Sequence, residues 1–226
     1  LKLIGDWSKR YNKYHNLFVE ITGYLYTPNT VQHKDFLKNL TSLGYLYTNN
    51  TIQHKDFLKN LTSLGGLNTT NETQNKDFIK NLTSIGYLYT FEVTQHKDFL
   101  RNLASLGDLY TNYAVQYERF LKNLTSLGGL YTNYAVQYDG FLKNLTSLVS
   151  LNTNAATQHK DFLKNLTSLG SLNTNNAIQH PEFLRNLKNF DELKSIPIQH
   201  PDFLKNFRDK KNTLETHINN YKLNLS

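Results

Sequence analysis

Two columns of tyrosine are the residues of this sequence best suited to recognition chemistry. Row A reads Tyr24, Tyr45, Gly66, Tyr87, Asp108, Gly129, Ser150, Ser171 and Glu192. Row B, two residues later in each repeat, reads Tyr26, Tyr47, Asn68, Tyr89, Tyr110, Tyr131, Asn152, Asn173 and Lys194. Tyrosine offers a large contact area for little loss of side-chain entropy, and Asn and Ser add adaptable hydrogen bonds. An exposed aromatic surface of this extent is typical of an interaction site.

These columns, with three further aromatic residues beside them, define the candidate binding residues. They are Tyr24, Tyr26, Tyr45, Tyr47, Tyr87, Tyr89, Phe91, Tyr110, Tyr113, Tyr131 and Tyr134. The alternative is that tyrosines on neighbouring strands only stabilise a sheet, at roughly 0.2–1 kcal/mol per cross-strand pair.

A histidine column could offer metal ligands or a pH-dependent contact. It reads His33, His54, His96, His159, His180 and His200, and it is interrupted by Asn75, Tyr117 and Tyr138. We therefore predict a solvent-edge position for this column, with no metal and no cofactor. No Ser/His/Asp arrangement, phosphate-binding Gly loop or pair of carboxylates stands out. Because every recurring polar residue forms a column, whereas active sites are singular, the sequence predicts a protein that is not an enzyme.

An asparagine column carries the acceptor pattern for N-glycosylation. The Asn-Leu-Thr triplets begin at Asn39, Asn60, Asn81, Asn123, Asn144 and Asn165, and this pattern marks surface acceptor sites in secreted proteins. Asn102, Asn186 and Asn206 keep the Asn without the Thr. A column that keeps Asn while the acceptor pattern lapses indicates a structural role.

Composition limits the classes of partner. Cysteine is absent, which excludes disulfides and thiolate metal sites. The net charge of +7 is spread through the repeats and mixed with acidic residues, which argues against a nucleic-acid partner. The apolar runs are too short for a membrane span. The sequence begins at Leu1 and lacks methionine, so we expect a processed or truncated piece of a longer chain. The location is unassigned, with a secreted or cell-surface one favoured over the cytoplasm.

The columns arise from a repeat with a fixed period. The phrase Gln-x-x-x-Phe-(Leu/Ile)-x-Asn occurs nine times, with its Phe 21 residues apart at each step except the last, which is 20. A period in this range is the signature of a solenoid. A helical spacing joins Phe57, Leu58, Leu61 and Leu64. Gly65 then fits a helix C-terminus, and residues 66–69 alternate like a strand. Each repeat is therefore predicted to hold a short strand, a polar turn and one short helix.

The leucine spacing resembles that of the leucine-rich repeat family. The stretch Leu37-x-x-Leu40-x-x-Leu43-x-x-Leu46-x-Thr48 is similar to the family pattern L-x-x-L-x-x-L-x-L, over roughly residues 21 to 207. The resemblance implies an α/β solenoid that is curved, with a parallel β-sheet on its concave face and short helices on its convex face. Thr replaces the second strand leucine, and the Asn that normally bonds the turn is missing. We expect the Gln column, from Gln32 to Gln199, to bond the turn backbone instead.

The chain divides into three predicted parts: an N-terminal helical cap over 1–20, a solenoid of about nine repeats over 21–203, and a C-terminal helical cap over 204–226. We predict a non-enzymatic binding scaffold whose concave Tyr/Asn-rich face recognises a protein. One alternative is a carbohydrate-binding surface, because Tyr rings stack on sugar faces and Asn pairs with hydroxyls. The other is a structural spacer whose columns serve only stability.

Overall fold

The computed structural model describes residues 3–4, 17, 19–29, 31–52, 54–70, 77–91, 98–113, 121–136, 141–157, 159–175, 180 and 182–195. Ten strands form one parallel sheet in sequence order. They are β1 (Leu3–Ile4), β2 (Glu20–Tyr26), β3 (Ser42–Tyr47), β4 (Ser63–Asn68), β5 (Ser84–Tyr89), β6 (Ser105–Tyr110), β7 (Ser126–Tyr131), β8 (Ser147–Asn152), β9 (Ser168–Asn173) and β10 (Asn189–Ser195). The chain is therefore a parallel β-solenoid with 21-residue coils, and the predicted solenoid and parallel sheet are confirmed.

Strands β3 to β9 each turn two aliphatic side chains, leucine or isoleucine, into the core. In β3 these are Leu43 and Leu46, and both are buried. They lie three residues apart, so the usual inside–outside alternation is interrupted between them. Gly44 directly follows Leu43. A Cβ at this position would collide with the backbone carbonyl of Thr22 on the preceding coil.

The glycine column is a site of close backbone approach. Gly65, Gly86 and Gly107 repeat the arrangement of Gly44 against the carbonyl of the preceding coil. The prediction that this column ends a helix is wrong, because these glycines lie inside strands and their backbone is not left-handed. The prediction also placed the start of this strand too late, at residue 66, since β4 starts at Ser63.

The short helices predicted for the convex face are absent from the described residues. The corresponding stretches are tandem turns, in which the Phe57 N–H donates to His54 O at 3.0 Å and the Leu61 N–H to Leu58 O at 3.0 Å. Leu58 has a φ of 50°, and a left-handed residue cannot continue a right-handed helix. The same conformation recurs at Leu37, Ile79, Leu100, Leu121, Leu142, Leu163 and Leu184. Two tight turns bury residues i, i+1 and i+4 as one helix does, so spacing alone could not separate the two.

Stacked columns of identical residues fill the core. Phe36, Phe57, Phe78 and Phe99 pack with ring centroids 6.0–6.3 Å apart and nearly parallel planes, within the range of favourable aromatic pairs. The Thr column is also buried, from Thr48 to Thr174 at 0% exposure. Its hydroxyls reach backbone carbonyls of the next coil, as Thr48 Oγ1 does at 3.4 Å from Asn68 O. This bond explains how a polar residue occupies a leucine position.

The asparagine column is a hydrogen-bond ladder between coils. The Nδ2 of Asn60, Asn81, Asn123, Asn144 and Asn165 donates to the carbonyl of the preceding coil at 2.6–2.7 Å. Asn102 and Asn186, which lack the glycosylation triplet, make the same bond at 2.8 and 2.7 Å. The structural role predicted for this column is confirmed.

The predicted caps fall largely on residues outside the described ranges. Leu3–Ile4 pair with Leu25 and Tyr26 as a strand rather than lying in a helix. Residues 5–16 and 196–226 lie outside the described residues, so the two helical caps stay predictions.

Candidate binding surface

From β2 to β9, the residues of rows A and B lie on neighbouring strands in unbroken register. Tyr45 pairs with Tyr24 on one side and Gly66 on the other, and Tyr47 pairs with Tyr26 and Asn68. The register continues through Tyr87 and Tyr89 to Ser171 and Asn173. Because the intervening leucines point inward, both rows reach solvent, with Tyr24 and Tyr87 about two-fifths exposed at 42% and 41%. The row residues of β2 to β9 therefore share one face.

The backbone of row B is clamped by the Thr column. The N–H of Thr27 donates to Tyr47 O at 2.9 Å, and that of Thr90 donates to Tyr110 O at 2.9 Å. Each row B residue from Tyr26 to Asn173 lies between a buried leucine and a buried threonine, so its backbone position is fixed from both sides. The tyrosine rings project from a rigid base, which favours preorganised binding.

The middle of row B is a regular stack of three rings. Tyr89 and Tyr110 lie 4.2 Å apart between centroids with planes 7° apart, and Tyr110 and Tyr131 lie 4.3 Å apart with planes 4° apart. The predicted residues of this segment are brought together as one aromatic strip.

The first tyrosines form a less regular cluster. Tyr24 stacks on Tyr45 at 5.0 Å and approaches Tyr47 at 6.0 Å, while Tyr26 meets Tyr47 edge-on at 5.7 Å. Rows A and B thus merge into one surface over β2 and β3.

Three predicted aromatic residues lie in the turns that follow the strands. Phe91 meets Tyr113 edge-on at 5.2 Å, and Tyr113 stacks on Tyr134 at 4.7 Å. Tyr113 and Tyr134 have φ of 57° and 56°, a conformation that is rare for bulky residues. They are also 49% and 56% exposed. The equivalent turn residues Asn29, Asn50 and Ala155 share this conformation, so it belongs to the repeated turn.

The rows are interrupted at β4, where a cleft opens between the tyrosines of β3 and β5. Its volume is about 350 Å³. It is lined by Tyr45, Leu46, Tyr47, Gly66, Leu67, Asn68, Tyr87 and Tyr89. The Tyr45 ring leans over Gly66, since a Cβ on Gly66 would lie 2.5 Å from Tyr45 Cδ1. Residue 66 therefore has no room for a side chain.

The far end of the face is polar. Ser171 Oγ donates to Ser150 Oγ at 3.1 Å. The Oδ1 atoms of Asn152 and Asn173 are buried without a hydrogen-bond partner among the described residues. The face therefore changes along its length from aromatic to amide and hydroxyl chemistry.

Two tyrosines of the face ionise less readily than free tyrosine. Burial raises the pKa of Tyr47, and nearby Tyr24, Tyr45 and Tyr89 raise it further. Burial likewise raises the pKa of Tyr110, with Tyr89 and Tyr131 adding to the effect. Both phenols stay neutral and able to donate a hydrogen bond across the physiological range.

The described histidines serve as turn caps. Nδ1 of His33, His54, His159 and His180 accepts the backbone N–H of the residue two positions later at 3.1–3.2 Å. Among the described residues, no group of three His, Cys, Asp or Glu side chains is placed to hold a metal ion. His96 and His200 lie outside the described ranges.

A second asparagine column bonds the turn backbone directly after the Thr column, and the role expected for the glutamine column stays a prediction. Oδ1 of Asn112, Asn133 and Asn154 accepts the backbone N–H of the equivalent Asn one coil later at 2.9–3.0 Å. Gln32 instead reaches the Thr27 hydroxyl at 3.5 Å, and the other glutamines of the column lie outside the described residues. The signal was available in the sequence, since Asn follows the buried Thr in several repeats.

Comparison with known protein families found no match, and no curated protein sequence matches the chain. In the part of the chain that the structure describes, no helix has the length and apolar character needed to span a membrane.

Proposed function

We propose that this chain is a non-enzymatic recognition scaffold that binds a protein partner through the tyrosines of rows A and B. The observation that supports the proposal is the placement of these side chains. The sheet is held by buried Leu, Phe and Thr columns, and the tyrosines stand outside that core on clamped backbone. Exposed aromatic residues on a rigid base are the usual anchors of protein interfaces.

The extent of the face supports a macromolecular partner. Strands in a sheet are about 4.8 Å apart, so rows running from β2 to β9 extend on the order of 34 Å. A protein interface of ordinary size buries about 800 Å² on each partner, which a face of this length can supply.

The same proposal places the chain as an irregular member of the leucine-rich repeat family. The leucine spacing and the parallel sheet support this assignment. The tandem turns in place of helices set the described coils apart from the helical pattern that the resemblance implies.

A carbohydrate partner is the second candidate, and the polar end of the face favours it. The hydroxyls of Ser150 and Ser171 and the side-chain amides of Asn152 and Asn173 belong to half-buried residues at this end of the face, and such groups can donate to and accept from sugar hydroxyls. On this alternative, the Asn and Ser residues rather than the tyrosines would dominate binding.

A triple substitution tests the proposal. We expect Tyr47→Ser, Tyr89→Ser and Tyr110→Ser together to lower partner affinity by at least about a hundredfold, because loss of anchor residues costs about 2 kcal/mol or more each. The partner is first isolated by cross-linking to the intact protein, and affinity is then measured by calorimetry.

The matched control changes three exposed lysines on the turns instead, Lys59→Ser, Lys122→Ser and Lys143→Ser. These side chains lie away from the strand face, so we expect unchanged affinity. Intact binding by the tyrosine triple variant would overturn the proposal and favour a spacer role. The carbohydrate alternative would be favoured if the tyrosine triple variant retains glycan binding and the Asn152→Ala and Asn173→Ala variants lose it.

A further inference from the structure

We infer that the cleft at β4 is a socket for the phenol ring of a tyrosine presented by the protein partner. This inference rests on the proposed function and specifies how the partner is anchored. The socket is defined by Tyr47 and Tyr89 as walls and by Asn68 and Leu67 as its floor.

The first reason is that the socket is a missing position in a ring stack. Row B carries a tyrosine on β2, β3, β5, β6 and β7, and only β4 among these strands carries Asn68 instead. Tyr47 and Tyr89 therefore stand two strand spacings apart, or about 9.6 Å. One ring between them would lie one spacing from each wall.

The second reason is that the neighbouring strands show the geometry such a ring would take. Tyr110 has a ring on each side at 4.2 and 4.3 Å, with nearly parallel planes. A ring above Asn68 would have the same surroundings. A protein cavity of about 150 Å³ holds one benzene, and the cleft of about 350 Å³ has room for a phenol.

The third reason concerns the polar groups of the socket. Asn68 is half-buried, and its Oδ1 accepts the Thr70 N–H at 3.3 Å. A phenyl ring without a hydroxyl would displace water from the Asn68 amide and from the hydroxyls of the wall tyrosines. The hydrogen bonds that this water made would then be lost, which costs binding free energy. A phenol carries one hydroxyl that can donate and accept, and it can therefore replace part of these hydrogen bonds.

The test uses N-acetyl-L-tyrosinamide as the probe and nuclear magnetic resonance of the intact chain as the readout. We expect the probe to shift the backbone amide resonances of Gly66, Leu67 and Asn68. We expect N-acetyl-L-phenylalaninamide to bind about tenfold more weakly, since a tenfold difference is the scale of one lost hydrogen bond. We expect methyl β-D-glucopyranoside to leave these resonances unmoved.

Two substitutions make the assignment specific to the socket. Asn68→Tyr fills the gap with the chain's own ring and should abolish probe binding. The unfolding temperature of this variant should be equal to or higher than that of the original chain. The matched control, Asn152→Tyr, makes the same change on β8, away from the socket, and should bind the probe within about twofold of the original chain. Tyr47→Leu removes one wall without filling the cleft and should weaken binding about tenfold, which keeps the test decisive if Asn68→Tyr fails to fold.

Several outcomes would overturn the socket. One is that Asn68→Tyr binds the probe as well as the original chain does. Another is that the glucoside, and not the tyrosine probe, shifts the backbone amide resonances. The third is that the tyrosine probe shifts none of these resonances at any concentration. The proposed function has a separate outcome. If the isolated partner binds Asn68→Tyr normally but loses the tyrosine triple variant, the socket is wrong and the recognition face stands.

Discussion

A left-handed aliphatic residue follows the core phenylalanine in every described coil. Left-handed backbone costs roughly 1–2 kcal/mol at a residue with a side chain, yet the described positions hold Leu or Ile with φ between 43° and 57°. Glycine would relieve this strain, but these side chains are fully buried, and burying one aliphatic side chain gives about 1.5–3 kcal/mol. Burial therefore outweighs backbone strain at this position.

Ile79 is the one β-branched residue in this column, and its φ of 43° is the lowest there. Branching at Cβ makes a left-handed backbone an outlier. We expect Ile79→Leu to stabilise the protein by about 0.5 kcal/mol and Leu58→Ile to destabilise it by about 1–2 kcal/mol. Denaturant unfolding midpoints of the two variants check this pair. If Leu58→Ile leaves the free energy of unfolding unchanged, the strain is absent.

The raised pKa values of Tyr47 and Tyr110 give a stability change at high pH. A phenol whose pKa is higher in the folded state binds its proton more tightly there, so the contribution to stability is complete below the unfolded value and is lost as pH rises. We expect the free energy of unfolding to fall from about pH 10 upward. Tyr110→Phe should flatten part of that fall. Thermal unfolding across this pH range measures it, and a variant with an unchanged slope would contradict the cause.

At the level of the coil, the asparagine ladder joins each turn to the one before. Its donors and acceptors recur at 2.6–2.8 Å whether or not the glycosylation triplet is present. The ladder therefore explains why Asn is kept where Thr is not.

Asparagine-to-aspartate changes test the ladder. Asn144→Asp and Asn102→Asp each replace a donor with an acceptor facing a carbonyl, and we expect each to cost about 1–3 kcal/mol. Asn144 begins an Asn-Leu-Thr triplet and Asn102 does not. Unequal losses in protein made without glycosylation would show that the two positions differ in their structural role. Chemical denaturation of both variants supplies the measurement.

The sequence predicted the strands and their faces better than the layer behind them. The 21-residue period, the inward leucines and the outward tyrosines follow from side-chain pattern, and the structure has them. The turn layer did not follow, because Phe57, Leu58 and Leu61 are buried by tandem turns at the spacing of a helix. The cleft could not be predicted either. It depends on how the Tyr45 ring leans over Gly66, which is a matter of rotamer and packing.

Over the whole molecule, stability accumulates between neighbouring coils. Each strand is hydrogen-bonded to the strand before and after it, in a strict sequence order, so coils contribute as repeats with nearest-neighbour contacts. Removing one complete coil therefore preserves the interfaces of the rest.

Deleting residues 63–83 removes β4 with the turns that follow it, which is one full 21-residue period. We expect the shortened chain to fold, with Tyr47 placed beside Tyr89, and to lose binding of the tyrosine probe because the socket has closed. Deleting 62–83 instead removes one residue more than the period and shifts the start of β5 by one residue against β3, so we expect a lower unfolding temperature than that of the 63–83 deletion. Circular dichroism and probe titration measure both deletions. Equal unfolding temperatures for the two deletions would contradict the role of the period.

The clamped backbone of row B has a consequence for how such a face changes over generations. Tyrosine and asparagine codons differ by a single base at the first position, and both residues already occupy row B on neighbouring coils. Since the buried Leu and Thr hold the backbone on either side, we expect one base change to replace a phenol ring with an amide at the same backbone position without altering the fold. If the face binds a partner as proposed, its specificity depends on one row B residue for each coil, and point mutation can change these residues one at a time.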